Sequence, residues 1–334
     1  MKSTVSFRRL LPLTAALAVA ASLVLVAPVS AQAPEGAFDR TLRVSGAVDL
    51  DIVAGSGSIR IEPGAADSVR VAARLKAGNS WVAGGDVEKR IRQIEQNPPI
   101  EQQGNVIRVG HFADRDLPRN ISISYEVTVP ADTKLAASAG SGSITVGAIK
   151  GPARLQSGSG GVTVGRVGGS VQASTGSGSI KVGGAASLEA STGSGSVHAA
   201  AVSGPTKAHS GSGSITVSQT GKGDVDVSAS SGSITLTGVD GAARANSASG
   251  SIRIDGRPGG PWSLHSSSGD ITITMPPDAA FDLHARTNSG TIDSAHPVTM
   301  EVTGKIDKRQ IQGKVRGGGA LIEASCSSGS IKIR

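Results

Sequence analysis

Aromatic side chains are almost missing from this chain. Its 334 residues include four Phe, two Trp and one Tyr. Globular cores usually draw much of their buried area from such rings, so a core here must come from Val, Ile, Leu and Ala. The scarcity also removes the stacking platform that single-stranded nucleic acid needs. Cysteine is scarcer still. Cys326 stands alone, which excludes an internal disulfide and leaves stability to burial and hydrogen bonding. A strong charge of one sign is lacking too, and long apolar runs are confined to the N-terminus.

That N-terminus reads as an export signal, with a retained membrane anchor as the alternative. Lys2, Arg8 and Arg9 precede an apolar stretch from Leu10 to Val26, broken only by Pro12, Thr14 and Ser22. "APVSAQA" follows, and cleavage after Ala31 places Val29 and Ala31 at the −3 and −1 positions. Arg8-Arg9 lacks the rest of a twin-arginine motif, which favours the general secretion route. Removing residues 1–31 leaves 30 Lys and Arg against 26 Asp and Glu, a mild net charge of about +4 that calls for no nucleic-acid partner. No later stretch has the length and apolarity of a membrane span. The expectation is a mature chain with no integral membrane segment, in the periplasm or outside the cell.

What the chain has in abundance is glycine, 46 residues of it, much of it in tracts such as "TGSGSIKVGGAASLEASTGSGSVHA" (Thr175–Ala199). Such composition is usual in flexible linkers. The phase of the tracts says otherwise. An aliphatic residue follows each Ser-Gly-x turn, at positions 144, 162, 180, 197, 215, 234, 252, 271, 292 and 331. The spacings are 18, 18, 17, 18, 19, 18, 19, 21 and 39, the last read as two periods with a degenerate unit between Asp293 and Lys332. An isolated earlier copy ends at Ile59. Gly always stands two before the aliphatic residue and Ser three before it, as in Ser177-Gly178-Ser179-Ile180.

The columns between turns alternate. Ile180 and Val182 flank Lys181, and Leu188 and Ala190 flank Glu189. Period-two alternation in short segments marks half-buried strands. Two strands and two turns in about 18 residues make one coil of a parallel β-solenoid, each coil stacked about 4.8 Å from the last. The Gly column is expected to adopt a conformation that a Cβ disfavours. The preceding Ser column is expected to satisfy turn groups through a hydroxyl ladder. The outward residues Glu189, Lys207, Asp226 and Arg244 alternate in sign and are expected to pair between coils.

The expected fold is therefore all-β: a parallel solenoid over residues 135–334, preceded by a β-rich capping section over 32–134. That section holds one short helix at "DVEKRIRQIEQN", with Asp86 as its cap, Val87, Ile91 and Ile94 on one face, and Pro98 beyond its end. Solenoids need caps because an open end exposes unpaired strand edges.

The order of these features resembles a known family. The signal is followed by "FDRTLRVSGAVDLDIVAGSGSIRI", then "YEVTVPADTKLAASAGSGSITVGAIKG", repeated "SGSI" turns, and a final "GKVRGGGALIEASCSSGSIKIR". This resembles the bacterial putative-adhesin β-strand-repeat family, exported and of unknown biochemical function. The resemblance implies an elongated β-solenoid in the cell envelope and supplies no catalytic motif.

No constellation of residues points to chemistry. Calcium-binding rolls share the 18-residue period but carry Asp in their turns; here Asp270 occupies such a place in one copy only. His209 and His265 share an outward column three coils apart, roughly 14 Å, too far for one metal ion. His198 and His284 fall in other columns. Cys326 sits where other coils carry Ser, Thr or Ala and is expected to be a small buried residue, with a free thiol for intermolecular pairing as the alternative. "VRGGGA" lacks the Lys-Ser/Thr of a phosphate loop and reads as a turn. Asp224 and Asp226, two apart on one strand, share a solvent-facing side and are the nearest approach to an acid pair of a carbohydrate-active β-helix. The expectation is a non-catalytic envelope or surface scaffold of adhesive type, with no catalytic, metal or cofactor residues. Its partner, an envelope polymer or protein, is left open. A carbohydrate-active enzyme and a regulatory protein acting through a membrane partner are the alternatives.

Overall fold

The computed structural model describes residues 35–78, 86–299 and 309–334. The export signal expected over residues 1–31 lies outside these residues. Among them no helix is long and apolar enough to cross a membrane.

The described residues are all-β with one short helix. Among the described residues 27 strands belong to one large mixed sheet that curls into a nearly closed, barrel-like form around a continuous aliphatic core. Each Ser-Gly turn joins two short strands on different sides of the core, such as Ser187–Thr192 and Val197–Val202. Together they make one rung, and successive rungs pair in parallel. On the first side Leu135, Ala153, Val171, Leu188, Thr206, Val225, Ala243 and Trp262 stand in one register line. On the second side Ile144, Val162, Ile180, Val197, Ile215, Ile234, Ile252 and Ile271 do the same. Each of these eight is at most 1% exposed. A third inward line runs through Ile149, Val167, Ala185 and Val202.

Inside Thr175–Ala199 the alternation holds. Ile180, Val182, Leu188 and Ala190 are buried, while Lys181 and Glu189 are exposed. The tract is built structure.

Two expected details of the turn are corrected. The glycines two before the aliphatic residue are not there for left-handed backbone; only Gly57, at φ 151°, departs from ordinary φ in that column. They are there because rungs approach too closely for any side chain. A Cβ on Gly178 would lie 2.1 Å from the carbonyl oxygen of Gly160, and one on Gly195 would lie 1.9 Å from that of Gly178. The hydroxyl ladder also belongs to a different column, two residues earlier. Thr192 Oγ1 donates to Gly178 O at 2.8 Å and accepts from Gly195 N at 3.0 Å. Ser157, Thr175, Ser210, Ser247 and Ser266 repeat this pair of bonds on their own rungs. The column is buried, so its hydroxyls have no water to bond and must pair with the turn.

The sheet is not wholly parallel, because its two ends are antiparallel. At the first end Glu35–Arg43 pairs with Ser68–Ala77, which pairs with Ile121–Val129; Ile100–Gln103 pairs with Val106–Val109. The helix Val87–Gln96 packs there through Val87, Ile91 and Ile94. Glu95 accepts the Ala37 N–H at 2.8 Å, which ties the helix to the outermost strand. Asp86 precedes the helix but makes no side-chain capping bond; its backbone is itself in the αR region, which turns the carboxylate away from that role.

The rungs at both ends are stacked out of chain order. The isolated copy at Ile59 is a true rung: Leu50 faces Leu135 and Ile59 faces Ile144. It lies between that rung and residues 106–129, with Leu50 also facing Ile107 and Ile59 facing Tyr125. At the far end the final rung, Ala320–Ser328 with Ile331–Ile333, does not follow the rung of Phe281–Ser289 and Ile292–Ser294. It is inserted beneath it. Ile322 faces Trp262 on one side and Leu283 on the other. Ile331 likewise faces both Ile271 and Ile292. The degenerate repeat expected between Asp293 and Lys332 is thus replaced, among the described residues, by Val298–Thr299 and the strand Gln310–Val315, which pairs antiparallel with Phe281–Ser289. "VRGGGA" is a turn, with Arg316, Gly317 and Gly318 at φ 50°, 87° and 89°.

Candidate binding face

With the interior filled by aliphatic and turn-bonding side chains, any recognition chemistry must sit on the outward columns. The first side carries the richest one. Arg154 Nε donates to Gln172 Oε1 at 2.9 Å, and Gln172 Nε2 donates to Glu189 Oε2 at 3.0 Å. The same column continues through Lys207, Asp226 and Arg244, which face one another rung by rung. The expected pairing stops short of them. Ion pairs of these three residues are missing among the described residues, although the strands are in register. Parallel strands bring the Cα atoms to about 4.8 Å, but long exposed side chains gain little by closing the remaining gap.

Lys207, Asp226 and Arg244 border an open groove of about 550 Å³ that also touches Asp224, Ser263 and Glu323. Its floor is Val225 and Ala243, and its rim includes Pro205 and Pro261. The two aspartates therefore do share a concavity. They differ in their engagement: Asp224 Oδ1 accepts the Ala242 N–H of the next rung at 3.0 Å, while Asp226 stays uncommitted. Smaller grooves along the same side border Arg154 and Glu189 toward one end and His284 and Arg286 toward the other.

The histidines do not converge. His209 Nδ1 bonds Ser228 Oγ at 2.9 Å and His265 Nδ1 bonds Ser325 Oγ at 2.9 Å. Asn246 and Ser228 separate the two along the column. His198 and His284 are exposed on other columns. Among the described residues no cluster of His, Cys, Asp and Glu could hold a metal ion. Cys326 is buried, donates to Gly269 O at 3.1 Å, and has its thiol pKa pushed up, chiefly by burial.

Three polar features were not legible as such. Gln219 takes its place in the third inward line opposite Val202, where its Nε2 donates to Gly204 O at 3.1 Å and Gly223 O at 2.9 Å. Trp262 is buried and donates from Nε1 to Gly241 O at 3.0 Å. Tyr125 is buried at the first end with its hydroxyl unbonded among the described residues, and burial pushes the phenol well above its ordinary range. At the same end Arg70 bonds both carboxylate oxygens of Asp39, which holds that carboxyl below its usual value.

Fold and face together define an all-β repeat protein with charged side chains in register on its outer columns. The model of the family described as Toastrack DUF4097 matches residues 47–334. The chain belongs to that family, in agreement with the resemblance carried by its "SGSI" turns. No curated protein matches it. Among solved structures it is similar to a "putative cell adhesion protein" from Clostridium sporogenes ATCC 15579, at 11% identity and TM-score 0.20, over 89% of this chain and 98% of that one. It is also similar to a "putative lipid binding protein" from Parabacteroides distasonis ATCC 8503, at 14% and 0.41, over 90% and 97%. A third is a "putative adhesin" from Bacteroides fragilis NCTC 9343, at 12% and 0.29, over 91% and 99%.

Proposed function

We propose that this chain is an exported, non-catalytic β-solenoid scaffold of the cell envelope, of adhesive type, which holds a polymer along the outward column of its first side. The observation that carries the reading is the run of uncommitted charges Lys207, Asp226 and Arg244 on consecutive rungs, bordering one open groove. A rigid ladder repeats its contacts at each rung, so a ligand that is itself repetitive gains one weak contact per step. Such binding grows by multivalency rather than through one deep pocket. Asp224 is already bonded to a backbone amide, which weakens the acid-pair reading.

Two measurements test this. Export is expected to place the mature chain in the envelope fraction, beginning at Gln32. Purified chain is expected to bind anionic envelope polysaccharide, weakening as salt rises and on Lys207→Ala with Arg244→Ala. Binding that survives high salt, or none to such polymers, would overturn the electrostatic reading. Polysaccharide turnover that disappears with Asp224→Asn and Asp226→Asn would overturn the non-catalytic one.

A further inference from the structure

We infer that the rung formed by residues 319–334 is an exchangeable wedge, and that the partner it fits is the matching slot in a second copy of this chain. The rung is the last described in chain order yet lies inside the stack. All the strand pairing between the end module (residues 281–299 and 310–315) and the rest of the sheet passes through it, among the described residues. Its backbone bonds run both ways: Ile271 N–H donates to Ser330 O at 3.0 Å, Ile331 N–H donates to Thr291 O at 2.9 Å, and Ser328 N–H donates to Ser267 O at 2.9 Å. Its turn continues both ladders, with Cys326 bonded to Gly269 O and Thr287 bonded to Gly329 O.

The slot is built into the length of the chain. In every other crossover of the repeat, from Val146–Ala153 to Ile254–Trp262, the inward residue of the next first-side strand comes six to eight positions after the last inward residue of the second. From Ile273 to Leu283 the step is ten. The extra residues in Met275–Ala280 let the chain climb two rung heights, roughly 10 Å, instead of one. The end module is thereby held away from Trp262 and Ile271, and the gap between them takes one rung.

What fills the gap is recognised as a rung and not as a particular chain. Both walls present a parallel backbone edge and an aliphatic line; one adds the Gly269 carbonyl, which accepts from the wedge, and the other the Thr287 hydroxyl, which donates to it. The wedge's link to the end module is the turn Arg316–Gly319, where three consecutive residues have positive φ. A change of conformation there redirects the wedge into the equivalent slot of a neighbour without altering any ladder bond, the condition for domain exchange between identical chains.

A disulfide reads this out directly, because Cys326 lies in the wedge and faces Ser266 in the slot wall. Adjacent strands at about 4.8 Å satisfy the separation a disulfide needs. An acceptor chain carrying Ser266→Cys and Cys326→Ser is mixed with the unaltered chain, passed briefly through urea at its unfolding midpoint, returned to buffer and oxidised mildly. A covalent mixed dimer is expected, and it is expected to be lost when the acceptor carries Thr192→Cys with Cys326→Ser instead. The single variant Ser266→Cys provides the geometric control by closing within one chain. An internal bond there with no mixed dimer overturns the proposal, as do equal yields from the two acceptors. Isotopically heavy and light unaltered chains, treated the same way, are expected to give mixed dimers by native mass spectrometry; monomers alone overturn it without reference to any cysteine.

Discussion

Cys326 donates its thiol hydrogen to the carbonyl oxygen of Gly269, 57 residues earlier in the chain and 3.1 Å away. One rung below, Ser266 does the same for Gly250 at 3.1 Å. The lone cysteine is therefore a member of the buried hydroxyl ladder with sulfur in place of oxygen. Cys326→Ser is expected to leave stability within about 1 kcal/mol of the unaltered chain, whereas Cys326→Val, which fits the space but donates nothing, is expected to cost more. Urea midpoints of the two variants make the comparison.

At the centre of the stack Thr192 both donates to Gly178 O and accepts from Gly195 N. Thr192→Val removes a donor and an acceptor from a buried turn and is expected to cost about 1–3 kcal/mol. Ser194, in the column three before the aliphatic residue, is exposed. Ser194→Ala is expected to stay within about 0.5 kcal/mol. Equal effects at the two sites in thermal unfolding would contradict the ladder's position.

Gly178 and Gly55 test why the turns need glycine. A Cβ on Gly178 meets a carbonyl oxygen at 2.1 Å, while one on Gly55 meets nothing within 4 Å. Gly178→Ala is expected to cost about 1–3 kcal/mol because the rungs must part, and Gly178→Val at least as much. Gly55→Ala is expected to be silent. A flexible tether would tolerate all three, so an unchanged melting temperature for Gly178→Val would contradict the ordered tract.

Tyr125 gives the fold an alkaline limit. Its buried phenol keeps its proton in the folded state at pH values where the unfolded phenol, with an ordinary pKa of 10.0, has lost it. The unfolded state then binds fewer protons, so stability is fully present below pH 10.0 and falls as pH rises above it. Tyr125→Phe is expected to flatten that fall. At neutral pH it is expected to gain up to about 1 kcal/mol, since it removes a hydroxyl that pays desolvation without a bond. Denaturant midpoints at neutral and strongly alkaline pH measure both effects, and the chain's single tyrosine makes the absorbance of its phenolate a direct monitor.

Much of the rung was legible because its causes are local. Alternation of period two places Ile180, Val182 and Leu188 inside and Lys181 and Glu189 outside on steric grounds alone. The repeat near 18 residues then aligns each of them with its counterpart one rung away. The candidate face was legible to the same degree: the column of Glu189, Lys207, Asp226 and Arg244 could be written down from spacing. Its state of pairing could not, because surface side chains choose among water, neighbours and backbone at nearly equal free energy. The carboxylate of Asp224 turned out to serve an amide of the next rung. The column of hydroxyls that bonds the turns was displaced by two residues for a related reason. Both Ser columns look alike in sequence, and only burial separates Thr192 from Ser194.

The sequence by itself determined the rung: its two strands, their inward lines, its glycine corners and its stacking register. The tertiary structure alone decided which rung lies on which. Ile59 joins Ile144 across 85 residues, and Ile331 slips between Ile271 and Ile292. The physical reason is that a parallel backbone edge with an aliphatic line accepts any rung of the same kind, so periodicity cannot state the order at the ends. That order is set by crossover length, as in the ten-residue step from Ile273 to Leu283, and by the antiparallel strands that close each end.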